Sequence, residues 1–178
     1  VKKVKPSVVK VSTQVLVEGR QSQSMFGDDI FDRFFNMRPR SPQQVEGIGS
    51  GFFISADGYI ITNHHVVKDA ITITVETIDK KKYKAKKIGE DPKTDLALLK
   101  IDGGSHPFLE MGDAEKTEVG EWVLAIGNPL YQDLTVTSGI ISAKGRSMEG
   151  LRQSGLQYQD FIQTDAAINQ GNSGGPLI

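Results

Sequence analysis

The stretch Ile71-Thr72-Ile73-Thr74-Val75-Glu76-Thr77-Ile78, ITITVETI, alternates apolar and polar residues with a period of two. Successive side chains of a strand point to opposite faces, so this is the pattern of a strand with one face in a core and the other in water. Similar short runs rich in Val, Ile, Thr and Phe lie on both sides of it, at Ser7–Val17, Ser50–Ser55, Tyr59–Thr62, Lys82–Ile88, Leu96–Ile101, Glu121–Gly127, Leu134–Ser142 and Asp160–Thr164. Ser55-Ala56-Asp57-Gly58 supplies an Asp-Gly turn between two of them. Many short strands punctuated by 19 glycines, with few helical stretches, predict an all-β barrel or sandwich.

The 178 residues suffice for one domain or two small ones with a sizeable core. A formal net charge of −1 gives no overall field for nucleic acid or an anionic membrane. With no cysteine, disulfides, cysteine–zinc sites and thiol nucleophiles are excluded. No apolar run reaches the roughly 18 residues of a membrane span. The chain starts at Val1 rather than Met and reads as a mature or trimmed product.

Three segments break the strand pattern. Lys80, Lys81, Lys82, Lys84, Lys86 and Lys87 form a basic run around Tyr83 and Ala85, read as the solvated face of an edge strand rather than a binding patch. Glu18–Gly47 is a long polar loop; within it, Asp28–Met37 spaces Ile30, Phe31, Phe34 and Phe35 along one face of a short helix, with Asp28 or Asp29 as N-cap. Those aromatics either pack within the loop or form a partner surface, and long ordered loops are often functional. Asp102–Asp113 reads as a connector between two halves.

The chemistry gathers at Gly171-Asn172-Ser173-Gly174-Gly175-Pro176. A serine nucleophile needs a base for its proton, a buried carboxylate to orient that base, and backbone N–H groups to meet the oxyanion. Glycines around Ser173 let successive N–H groups turn into one concavity, so Gly171, Asn172 and Ser173 form the candidate oxyanion hole, with the N–H groups of Gly171 and Ser173 as donors. A turn of this kind without partners would be structural. Its candidate partners are His64 or His65, after the strand Tyr59–Thr62, and Asp95, at the start of the apolar strand Leu96–Ile101. Asp91 precedes a proline and suits a solvated turn, and His106 lies in the connector without catalytic context. The order histidine, Asp95, Ser173 is that of chymotrypsin-type double barrels.

GSGFFIS, DGYIITNHHVV, TDLALLKI, AIGNP, TVTSGIIS, FIQTDAAIN and GNSGGPL, in this order from about Val4 to Ile178, resemble the HtrA (DegP/DegQ) serine proteases. The resemblance implies two antiparallel β-barrels of the chymotrypsin/trypsin type with the active site in the cleft between them. Residues 1–101 would form the first barrel with loop 18–47, residues 102–113 the connector, and residues 114–178 the second barrel. It selects His65, directly before Val66-Val67, as the catalytic histidine and leaves His64 a bystander. The triad would be His65, Asp95 and Ser173, with no metal or cofactor. Asn128–Asp133, Lys144–Tyr158 and Ile168–Asn172 correspond to loops that order or disorder in the family, and the Gly171 N–H is expected to be able to turn away from the oxyanion in a resting state.

The position six before the serine, an aspartate in trypsin-like enzymes that select basic residues, is Ala167 here, followed by Ile168. A charged P1 side chain would go unpaired in such a pocket, so small aliphatic P1 residues are expected, and Asp165 is not read as a selector. The implied function is ATP-independent endoproteolysis of unfolded polypeptides in the periplasm or cell envelope, by a homotrimer or larger assembly. The alternative is a chaperone-like binding module, with Phe31, Phe34 and Phe35 as its contact surface, or a catalytically resting fragment. The strands that would close the second barrel after Ser173 are not among these residues, so the sequence is expected to be a piece of a longer domain. Leu130-Tyr131 stands where the family commonly has Phe-Gly.

Overall fold

The computed structural model describes residues 1–17, 43–128, 134–153, 155–169 and 171–178. Six strands close into a barrel in the order β1-β2-β3-β6-β5-β4: β1 Val8–Val17, β2 Gln43–Phe53, β3 Tyr59–Asn63, β4 Thr72–Glu76, β5 Lys82–Asp91 and β6 Leu96–Ile101. A second sheet orders β7 Trp122–Gly127, β8 Thr135–Arg146 and β9 Phe161–Thr164. Two short α-helices, α1 His64–Val67 and α2 Glu149–Gln153, and two 3-10 turns, Lys5–Ser7 and Ala114–Lys116, complete the described part. The architecture is all-β, with one closed barrel and part of a second sheet, the chymotrypsin-type fold that the resemblance implied.

Alternation builds the barrel. In β4, Ile73 and Val75 point inward while Thr72, Thr74 and Glu76 face outward. With Val9, Val11, Phe53, Ile60, Leu99 and Ile101, they form one buried cluster. Burying each such side chain contributes about 1.5–3 kcal/mol, so this cluster dominates the stability of the half that carries it. The second sheet buries Val123, Ala125, Ile126, Ile141 and Ala166. Its β7 also receives the end of the chain: Leu124 and Ile178 exchange backbone hydrogen bonds of 2.8 and 2.9 Å, and the Ile126 N–H donates to the Pro176 carbonyl.

Several expectations change. Strand β2 starts at Gln43, so the polar segment read as loop through Gly47 is strand from there on. The lysine-rich strand β5 is not an edge; it pairs with β4 and β6 inside a closed barrel. Its lysines do form the solvated outer face, where Lys82 pairs with Glu76, Lys86 with Asp102 and Lys87 with Glu90. Strand β8 runs on to Arg146, which puts Lys144 in the sheet rather than in a loop. The segment read as a connector packs on the barrel: His106 stacks on Phe53 at 4.4 Å, and its Nε2 lies 2.8 Å from the Gly103 carbonyl. The helix expected at Asp28–Met37, its phenylalanines, and Leu130-Tyr131 lie outside the described residues.

Candidate active site

Helix α1 continues directly from β3. Val66 and Val67 are drawn into the barrel core, and the Thr13 hydroxyl donates to the Val66 carbonyl at 3.3 Å. With the two valines inside, the two histidines are left on the outer side and part company. His65 Nδ1 lies 2.7 Å from Asp95 Oδ2, while His64 Nε2 lies 3.5 Å from Glu90 Oε2.

Asp95 sits just before β6 with φ 56, a left-handed backbone that aspartate tolerates better than most residues. That conformation lets one residue make four bonds. Its carbonyl accepts from the His64 N–H at 3.0 Å and from Asn63 Nδ2 at 2.9 Å. Its Oδ1 accepts from the His65 N–H at 2.9 Å, and its Oδ2 meets the imidazole. The side chains of His65 and Asp95 are 17% and 18% exposed, low enough to strengthen their bond while leaving the ring an open edge. With Nδ1–H donated to the carboxylate, the neutral ring keeps Nε2 as its acceptor. Asp91, by contrast, accepts from Lys93 N–H and Thr94 Oγ1 in an exposed turn, bonds that hold its carboxyl below the usual carboxylate range. The Tyr158 N–H donates to the Lys93 carbonyl at 3.1 Å, which places the segment after α2 beside the turn that precedes Asp95.

Ser173 lies in a loop fastened to β2. Its carbonyl accepts from the Ser50 N–H at 2.8 Å. A Cβ on Gly49 would lie 3.2 Å from that same carbonyl and 2.7 Å from the Val66 methyls. The loop of Ser173 and the helix of His65 thus meet at Gly49. Gly174 follows with φ +83, and any side chain there would run into the Ser50 carbonyl. The Asn172 N–H is committed to the Asn169 carbonyl at 3.1 Å, and its side chain is buried against Gly127. Of the three residues expected at the oxyanion hole, Gly171 and Ser173 are left with N–H groups that bond to none of the described residues.

Ala167 and Ile168 are exposed beside this loop; the Ala167 carbonyl accepts from Thr137 Oγ1 at 2.8 Å. Asp165 Oδ1 accepts from the Ile140 N–H at 2.8 Å, so its carboxylate is used within the sheet. Among the described residues no cluster of three or more His, Cys, Asp or Glu could hold a metal ion, and no helix is long and apolar enough to cross a membrane. Two contributors went unassigned in the sequence: Asn63, which holds the Asp95 backbone, and Ser50, which holds the serine loop. The GSGFF motif carried the signal for Ser50, a serine between two glycines inside a strand.

Residues 49–178 match the family model of the trypsin-like peptidase domain. This chain belongs to that family. Among its members, those that it resembles are HtrA-type serine proteases. It is 46% identical over 193 aligned residues to a probable periplasmic serine endoprotease, DegP-like, of Pseudomonas putida strain F1, covering 100% of this chain and 39% of that protein. A DegP-like endoprotease of Chlamydia muridarum is 52% identical over 159 aligned residues, covering 86% of this chain and 31% of that one. The solved HtrA-type protease AlgW with a decapeptide superposes with a TM-score of 0.75 at 41% identity, over 99% of this chain and 53% of that one. The trypsin-like domain described here therefore spans about two fifths or less of the curated relatives it matches.

Proposed function

We propose that this domain is the proteolytic part of a serine endopeptidase in which His65, Asp95 and Ser173 form the triad. The observation that carries the reading is the His65–Asp95 pair, a 2.7 Å bond in a partly buried setting with a second bond from the His65 backbone. Asp95 fixes the imidazole tautomer and stabilises the imidazolium that forms. His65 Nε2 takes the Ser173 hydroxyl proton as the oxygen attacks the scissile carbonyl. The same proton then goes to the leaving amine, and water deacylates the serine with His65 again as base. The N–H groups of Gly171 and Ser173 are the donors to the oxyanion, each worth about 3 kcal/mol in the transition state.

Ala167 and Ile168 line the entry for the P1 side chain. With no charged partner there, small aliphatic residues such as Val, Ala or Ile are preferred, because an unpaired buried charge is costly. The names of the relatives support a periplasmic setting. Unfolded polypeptides as substrates, a role in protein quality control and a homotrimeric assembly rest on the resemblance to HtrA proteases.

The deciding experiment is treatment of the full-length protein with a fluorophosphonate, followed by peptide mapping. A single adduct on Ser173, absent from Ser173→Ala, is expected. An adduct on another residue, or none after addition of peptide ligands, refutes the triad. Efficient cleavage after Lys or Arg in a P1 peptide series refutes the pocket assignment and leaves the triad standing.

A further inference from the structure

The mechanism above makes no use of the Ser50 hydroxyl, yet this group is fully buried and bonded on both sides. Its Oγ donates to the Gly171 carbonyl at 2.5 Å and accepts the Asn128 N–H at 2.7 Å. A hydroxyl has one proton, so the donor role is spent on Gly171 while a lone pair holds Asn128, the residue directly after β7. The backbone of the same residue is equally engaged. Its N–H holds the Ser173 carbonyl at 2.8 Å, and its carbonyl accepts from Thr62 Oγ1 at 2.6 Å. One residue of β2 thus grips the serine loop on both sides of Asn172 and links it to β3 and to the end of β7.

The grip matters because of what it grips. Gly171 has φ +96, a region where glycine has little preference of its own. A peptide next to such a residue turns readily unless something outside the loop fixes it. Here the Gly171–Asn172 peptide is fixed at both ends, its carbonyl on Ser50 and its N–H on the Asn169 carbonyl.

Building on the proposed protease chemistry, we propose that Ser50 is a positioning residue for the oxyanion loop: its hydroxyl sets the Gly171–Asn172 peptide so that the N–H groups of Gly171 and Ser173 are left for the substrate oxyanion. Without the hydroxyl, the Gly171 carbonyl and the Asn128 N–H are buried with no partner among the described residues. The loop then turns to satisfy them.

The test compares the full-length wild type with Ser50→Ala by fluorophosphonate labelling rate and by hydrolysis of a peptide p-nitroanilide with Val at P1, each normalised to titrated active sites. The expected result is a fall on the order of 10²-fold in labelling rate and kcat, the size of effect that a misplaced catalytic group produces, with KM within about twofold. A purely structural role would lower the number of titratable sites and the melting temperature, leaving the rate per site unchanged. The pair Ser50→Thr and Ser50→Val, equal in shape and different in one hydroxyl, decides the matter where Ser50→Ala does not fold. Faster turnover per site by the threonine variant supports the role, and equal rates overturn it. Labelling of Ser50→Ala at the wild-type rate overturns the role of Ser50 only. Failure of the wild type to label at Ser173 overturns the protease reading and this inference with it.

Discussion

Around Asp95, every bond to the described residues stays within the barrel that carries it. Asn63, His64 and His65 reach it from the end of β3 and the start of α1, and β6 follows directly. Around Ser173, the bonds run between units. Its carbonyl and that of Gly171 hang on Ser50 of β2, while the residues after it pair with β7. The proposed base and its orienting carboxylate are therefore held by bonds within the first barrel. The loop of the proposed nucleophile depends instead on bonds to β2 and, through the residues after it, to β7. The two halves of the proposed site thus differ in what can disturb them.

The sharpest test of this division is Ser173→Ala, expected to lower turnover by about 10⁶ while leaving the His65–Asp95 pair as it is. The low-field imidazole N–H proton resonance should persist in that variant. Its loss would show that the pair depends on the serine loop and would break the comparison. Asp95→Asn comes next, with an expected loss of about 10⁴ in kcat from the wrong histidine tautomer. Since the Asp95 carbonyl bonds do not depend on its carboxylate, the melting temperature of that variant should change little.

Leu99→Ala probes the barrel itself. Leu99 is fully buried in the central cluster, and its truncation should cost about 2–5 kcal/mol of unfolding free energy, read from urea denaturation. Val123→Ala in the second sheet removes less volume from a smaller buried set and should cost less. The reverse order would mean that the second sheet, rather than the barrel, limits stability.

How far such features can be read from sequence varies with their physical origin. The alternation of ITITVETI became β4 because side-chain polarity reports which face is buried. Residues 43–47 have the composition of a loop although they are strand, and β2 beyond them carries glycine again at 49 and 51. A Cβ at Gly47 would lie 2.5 Å from Thr13 Oγ1, one at Gly49 2.7 Å from Val66, and one at Gly51 2.9 Å from Ile60. These positions are small because neighbouring elements press on them, a tertiary cause that leaves no hydropathy signal and resembles loop composition. The pairing of His65 with Asp95 was legible from chain order and motif. The roles of Ser50 and Asn63 were not, because each acts through a bond to a residue far along the chain.

The adjacent histidines offer a smaller and cleaner contrast. His64→Ala removes an ion-pair contact to Glu90 that Lys87 already occupies at 2.7 Å. Activity should stay within about threefold, since exposed or partly exposed pairs contribute little. A loss as large as that of His65→Ala would reassign the base and remove the reason for separating the two.

The smallest expected effect lies in the turn between β4 and β5, where Asp79 meets Lys81 Nζ at 2.7 Å and Thr77 Oγ1. The Lys81 ammonium, then the Thr77 hydroxyl, lower its carboxyl from 3.8 to about 2. Because the folded value lies below the unfolded one, the charged form favours the folded state. That contribution is complete above the unfolded value and fades as pH falls from about 4 through about 2. Asp79→Asn should therefore flatten the acid limb of the stability curve slightly and leave the neutral plateau of proteolysis unchanged. The check is a carboxyl NMR titration of Asp79 beside a pH–rate profile. A change in that profile would mean that the turn between β4 and β5 communicates with the His65–Asp95 pair, and the barrel could then no longer be treated as the self-contained half.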